Sequence, residues 1–119
     1  MRKERILVID DDPDIRDVLN LSLSEFYVVF EAGNGKEGLE MVKSKNPDLI
    51  ITDYNMPGMN GLQLTAAIKE TSPDTRVVLI TAYATPELEK RAREQRVDHY
   101  LPKPFPLDRL EQIVRDVLR

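Results

Sequence analysis

The sequence predicts an α/β fold: a doubly wound parallel sheet with helices on both faces. Three observations carry this. Short apolar runs without alternation, such as Ile6 to Ile9 and Leu49 to Ile51, read as strands buried on both faces. Five strand-like segments alternate with five helical ones, and the connections are of lengths suited to βαβ units. Turn and cap residues (Asp12-Pro13, Gly33-Asn34-Gly35, Asn46-Pro47, Pro57-Gly58, Ser72-Pro73-Asp74) fall between the segments.

In chain order, Ile6 to Ile9 is the first strand, closed by Asp10-Asp11-Asp12-Pro13. Asp12 or Asp14 suits the cap of the next helix, with Pro13 in its first turn. That helix carries Ile15, Val18 and Leu19 on one face and runs to about Ser24. Tyr27 to Ala32 reads as a second strand, shorter in apolar length and placed at an edge. Lys36 to Lys45 is a helix with Leu39 and Val42 inward, ended by Asn46-Pro47. Leu49 to Thr52 is the third strand and stops at Asp53. Leu62 to Glu70 is a helix with the stripe Leu64, Ala67, Ile68. Arg76 to Ile80 is the fourth strand, ending at Thr81. Pro86 to about Arg96 is a heavily charged helix whose apolar face is only Leu88 and Ala92, which predicts loose packing. His99 to Leu101 is a short fifth strand, followed by Pro102-Lys103-Pro104. Leu107 to Leu118 closes the chain, with Leu107, Leu110, Ile113, Val114 and Val117 at helical spacing.

With 119 residues and no linker, repeat or low-complexity segment, the expected organisation is one domain over residues 1–119. The formal charge of −4 favours neither nucleic acid nor an anionic membrane as a direct partner. The absence of cysteine excludes disulfides, thiolate metal sites and a Cys nucleophile, and a single His excludes a multi-His metal site within one chain. The basic-then-apolar start imitates a signal peptide, but its apolar run is only Ile6 to Ile9 and ends in acids. No run is long enough to span a bilayer. The expected compartment is the cytoplasm.

The strand ends read together. The first ends in Asp10-Asp11, the third in Asp53, the fourth in Thr81, and Lys103 follows the fifth. In a parallel sheet these ends share one edge, where ligands bind. Two unit charges ~4 Å apart repel by about 4 kcal/mol at an effective dielectric of ~20, so clustered carboxylates raise a pKa or bind a cation. An all-oxygen site suits Mg²⁺. A carboxylate nucleophile beside Mg²⁺, a lysine and a hydroxyl is equipment for in-line phosphoryl transfer onto aspartate. Asp12 and Asp14 are read instead as a cap and a first-turn acid, and His99 as a surface residue.

On four segments, ILVIDDDPDIR, LIITDYNMPGMNGL, VVLITAY and YLPKPF, the chain resembles the receiver domains of two-component response regulators. The resemblance covers essentially the whole chain. It implies a flavodoxin-like (βα)5 fold with strand order 2-1-3-4-5. It implies that Asp53 accepts a phosphoryl group from a histidine kinase or histidine phosphotransfer domain, with Mg²⁺, or Mn²⁺ as an alternative. Asp11 is expected to bind the metal directly, Asp10 through water, and Asn55 through its backbone carbonyl. Thr81 and Lys103 are expected to contact the phosphoryl group, with a cis bond from Lys103 to Pro104. Tyr100 matches the aromatic that turns inward when Thr81 moves. Asn55 and Tyr83 flank the route of an attacking water and are expected to tune slow self-dephosphorylation. The output is then a change in the face built from helix four, strand five and helix five. That face would act on a downstream protein or output domain, or in a phosphorylation-linked homodimer. The expected role is a switch and not a metabolic enzyme. One departure concerns that face: Arg96-Val97-Asp98-His99 stands where the family usually carries small residues before the tyrosine.

Two competing readings remain open at this level. Asp10-x-Asp12 is the motif type of Mg²⁺-dependent aspartate-nucleophile phosphohydrolases, although Asp14 departs from their pattern and the chain has no room for a cap domain. A scaffold that never accepts phosphate is the other.

Overall fold

Apolar β-branched runs supply the three central strands, which are buried almost throughout, while the two outer strands are only partly buried. The computed structural model describes residues 2–119. The elements are β1 (Arg5–Ile9), α1 (Pro13–Leu23), β2 (Val28–Ala32), α2 (Gly35–Lys45), β3 (Leu49–Asp53), α3 (Gly61–Thr71), β4 (Arg76–Thr81), α4 (Pro86–Glu94), β5 (His99–Pro102) and α5 (Leu107–Leu118). All strand pairs are parallel and the order is β2-β1-β3-β4-β5. The fold is the expected flavodoxin-like one. Because the order reverses at β1/β3, Asp10-Asp11 and Asp53 leave neighbouring strands at the same edge.

The period of two along each strand divides the core. Ile6 and Val8 of β1 face α1 and α5, where they pack with Leu19, Leu23, Leu110, Ile113 and Val114. Leu7 and Ile9 face α2 and α3, with Val42, Leu64 and Ile68. A third, smaller cluster of Leu62, Leu79, Leu88 and Ala92 seats α4. α2 crosses close to the sheet because Gly38 has no side chain: a Cβ there would stand 2.6 Å from Ile9 Cδ1.

Caps set the helix starts. The Asp12 carboxylate accepts from Asp14 N, Asn34 from Glu37 N, and Thr85 from Leu88 N. Asn60 and Gln63 form a reciprocal capping box at α3. Asn34 as a cap starts α2 at Gly35, one residue before the sequence reading.

Two sequence expectations need correction, the inward faces of α1 and α5 and the end of α4. Val18 is 45% and Leu107 39% exposed, so neither belongs to the inward face of its helix. The inner face of α1 is Leu19 and Leu23. Lys69 of α3, on which the sequence carries no expectation, is 6% exposed. And α4 stops at Glu94, not near Arg96. Arg96 takes the left-handed conformation (φ 66°), its N–H reaches Arg93 O, and Val97 N–H reaches back to Ala92 O. That pair of bonds is a Schellman motif, and Val97 packs on the α4 cluster as its apolar partner. The Arg96-Val97 departure is therefore the cap of α4.

Candidate functional site

β1 and β3 deliver three carboxylates to one point. Asp10 is 5% exposed, Asp11 is exposed, and Asp53 ends β3. One oxygen from each lies within 4.8 Å of the others. Asp10 is held by Asp12 N–H on its carboxylate (2.9 Å) and by its own N–H on Ala32 O (3.1 Å). The Asp53 carbonyl accepts from the Thr52 hydroxyl (3.0 Å).

The cation and the hydroxyl come from the next two strands. Lys103 Nζ lies 3.6 Å from Asp53 Oδ1 and 4.0 Å from Asp10 Oδ2. Its backbone N–H donates to Thr81 O (2.7 Å), which ties the end of β5 to β4. The Lys103–Pro104 peptide is cis. Thr81 is fully buried, and its Oγ1 accepts from Tyr83 N–H (3.0 Å).

Burial raises the Asp10 carboxyl above the usual carboxylate range, against the Asp12 hydrogen bond, with the Asp53 charge adding to the rise. Burial also raises Asp53, against the pull of Lys103, while Asp11 pushes it further up. One ammonium does not offset three clustered acids. The cluster is short of positive charge, it is all oxygen, and it offers neither nitrogen nor sulfur donors, which fits Mg²⁺.

The remaining predicted positions separate. Asn55 and Tyr83 are exposed on the loops after β3 and β4. Tyr100 packs with the α4 cluster. Its hydroxyl is buried without a hydrogen-bond partner among the described residues, and burial raises its pKa. Asp12 and Asp14 are cap and first-turn acid. The carboxylate cluster is made of Asp10, Asp11 and Asp53, while the Asp12 carboxylate caps α1.

The model of the response regulator receiver domain matches residues 6–115. The chain belongs to this family. Among curated relatives, the receiver domain is 33% identical to sporulation initiation phosphotransferase F of Bacillus subtilis over 99% of this chain and 96% of that one. It is 38% identical to the response regulator MprA of Mycobacterium ulcerans and to the DNA-binding transcriptional regulator NtrC of Escherichia coli. It spans only 50% and 24% of their lengths. Among solved structures it is similar to chemotaxis protein CheY4 of Vibrio cholerae (TM-score 0.93, 28% identity, 98% and 100% of the two chains). It is also similar to the response regulator TrrA of Thermotoga maritima in complex with Mg²⁺–BeF (TM-score 0.87, 37% identity, 97% and 99%).

Sequence reasoning missed part of this receiver's site. Arg16, Asn20 and Glu31 form a polar network under the Asp10 backbone. The sole sequence trace is the i, i+4 spacing of Arg16 and Asn20, which puts both on the side of α1 toward β2. Gly61 is a contact position: its N–H donates to Tyr54 O (2.9 Å), and α3 starts directly against the Asp53 backbone.

Proposed function

We propose that this receiver domain is a phosphorylation-operated switch in which Asp53 is the phosphoacceptor. The observation that carries the reading is the placement of Asp53, Asp10, Asp11 and Lys103 within one cluster at the carboxyl edge of the sheet. Asp10, Asp11, Asp53 and the backbone carbonyl of Asn55 would hold Mg²⁺. When bound, the ion neutralises the carboxylates and the charge of the transferring phosphoryl group.

The side chains supply the rest. An Asp53 carboxylate oxygen attacks phosphorus as the bond from phosphorus to the donor histidine nitrogen breaks, and the nitrogen keeps the electron pair. Lys103, 3.6 Å from Asp53, pairs with the new phosphoryl oxygens. The Thr81 hydroxyl already accepts from Tyr83 N–H, so its own proton is free to donate to phosphate. That pull moves the β4–α4 loop, and Tyr100 and the α4-β5-α5 face follow. Self-dephosphorylation is slow and is tuned by Asn55 and Tyr83. This is a phosphoacceptor's chemistry and not metabolic turnover. The donor is a histidine kinase or phosphotransfer domain, and the output is a downstream protein or domain. Beside Lys103 an apolar groove of about 340 Å³, lined by Ile15, Val18, Pro104, Phe105 and Leu107, gives a donor protein a place to rest. Among the described residues no helix is long and apolar enough to cross a membrane, and membership of the receiver family supports a cytoplasmic role.

Beryllofluoride, a phosphoryl mimic, tests the reading. In a ¹H–¹⁵N spectrum, Mg²⁺ with beryllofluoride is expected to shift Thr81, Tyr83, Tyr100 and Lys103 together. Shifts confined to Asp10 and Asp11, or none, would contradict the switch.

A further inference from the structure

The β1–α1 turn carries two of the three carboxylates, so the backbone at Asp10 decides where both point. Arg16 holds that backbone: its Nη1 donates to the Asp10 carbonyl. Arg16 is held in turn. Its Nε faces Glu31 Oε1 at 3.4 Å, and Glu31 Oε2 accepts from Asn20 Nδ2 at 2.7 Å. The guanidinium lies against Gly33, where a Cβ would stand 3.5 Å from Nη1. Both partners are largely covered, with side chains 21% and 30% exposed. One planar cation thus joins α1, the edge strand β2 and the backbone of the first acid.

We propose that Arg16 is a positioning residue for Mg²⁺ in this receiver, acting through the Asp10 backbone, and that Glu31 keeps it in that role. The inference rests on the Mg²⁺ reading above. Glu31 has two effects. It aims the guanidinium at the Asp10 carbonyl, and it neutralises a cation that would otherwise turn toward the carboxylates and compete with the metal. A planar fork with several donors can hold the Asp10 carbonyl and Glu31 at once, which an ammonium cannot do with the same geometry.

The sign of the effect separates positioning from simple electrostatics. Removing a cation beside a divalent-ion site tightens metal binding if charge alone matters. Removing a residue that sets the ligands weakens it, typically by about 10- to 100-fold for groups that orient metal ligands.

The test is calorimetric titration of MgCl₂ into the wild type, Arg16→Met, Arg16→Lys, Glu31→Gln and the Arg16→Met/Glu31→Gln double variant. Melting temperatures in EDTA accompany each titration. The expected result is a Kd about tenfold weaker for Arg16→Met, a weakening also in Arg16→Lys, and a double variant no weaker than Arg16→Met. Arg16→Lys keeps the charge and the aliphatic stem, and it decides the matter if Arg16→Met does not fold. Variants that bind Mg²⁺ as tightly as the wild type, or more tightly, overturn the proposal. Additive losses overturn the part given to Glu31. A wild type that takes up no Mg²⁺ removes the metal reading itself, and this proposal falls with it.

Discussion

Gly61 and Asp53 meet backbone to backbone: a Cβ on residue 61 would stand 2.7 Å from the Asp53 carbonyl oxygen and 2.5 Å from Leu79 Cδ1. The glycine lets α3 begin directly over the end of β3, and so fixes the height of Asp53 relative to Asp10. Gly61→Ala is expected to destabilise the fold by about 1–3 kcal/mol through overpacking, because the Asp53 carbonyl, unlike a side-chain tip, cannot rotate away. It is also expected to slow phosphorylation of Asp53. Urea unfolding beside a phosphorylation time course checks both. Unchanged stability would show that α3 can shift freely.

The raised acids make a pH prediction. Asp10 and Asp53 titrate above the ordinary value of 3.8 in the fold, so the metal-free folded state holds their protons more tightly than the unfolded chain does. As far as these two groups are concerned, the metal-free fold is most stable below 3.8. It loses that advantage as pH rises through their folded pKa values. Asp10→Asn and Asp53→Asn are therefore expected to raise the melting temperature at neutral pH in EDTA by a few degrees, and the gain should vanish in acid. Mg²⁺ is expected to stabilise the wild type instead, by about 2.7 kcal/mol at 100 times its Kd. A lower melting temperature for both variants at neutral pH would contradict the cluster's strain.

Arg96 occupies the left-handed position of the α4 cap, where a residue other than glycine is strained by about 1 kcal/mol. Arg96→Gly is expected to raise the urea midpoint by up to that amount, with Arg96 exposed and no packing lost. Val97→Ala is expected to lower it, because Val97 is the apolar partner of Ala92 across the cap. A lowered midpoint for Arg96→Gly would mean that the Arg96 side chain stabilises the cap.

At the opposite edge of the sheet, Asp98 Oδ2 accepts from Val77 N–H (2.8 Å) and from buried Lys69 Nζ (3.0 Å), while Lys69 also donates to Thr75 O (2.7 Å). Asp98→Ala strands a buried ammonium and is expected to cost about 3–5 kcal/mol. Lys69→Met removes the charge along with its need for a partner and is expected to cost less. Equilibrium unfolding of both variants checks the order. The reverse order would show that Lys69 does not depend on Asp98.

The architecture and the carboxylate cluster were legible because both rest on short-range patterns. Apolar runs mark strands, and acids at strand ends have one edge to share. What was not legible depends on distance through space. Val18 and Leu107 fit a helical stripe but lie beyond the reach of the sheet. Nothing in the sequence around Lys69 marks it as buried, because its partner, Asp98, is 29 residues away. Arg16 and Glu31 sit on different elements, and nothing in either segment announces that they meet at the Asp10 backbone. The Arg96-Val97 departure looked like misplaced bulk until the left-handed cap gave each residue a position.

The most direct measurement is intact mass after incubation with acetyl phosphate and Mg²⁺, wild type beside Asp53→Asn. The expected result is an adduct of about 80 Da, one phosphoryl group, that requires Mg²⁺ and is absent from the variant. An adduct that persists in Asp53→Asn would place the acceptor on another residue. A folded, Mg²⁺-binding wild type with no adduct from either acetyl phosphate or a phosphohistidine donor would contradict the switch altogether.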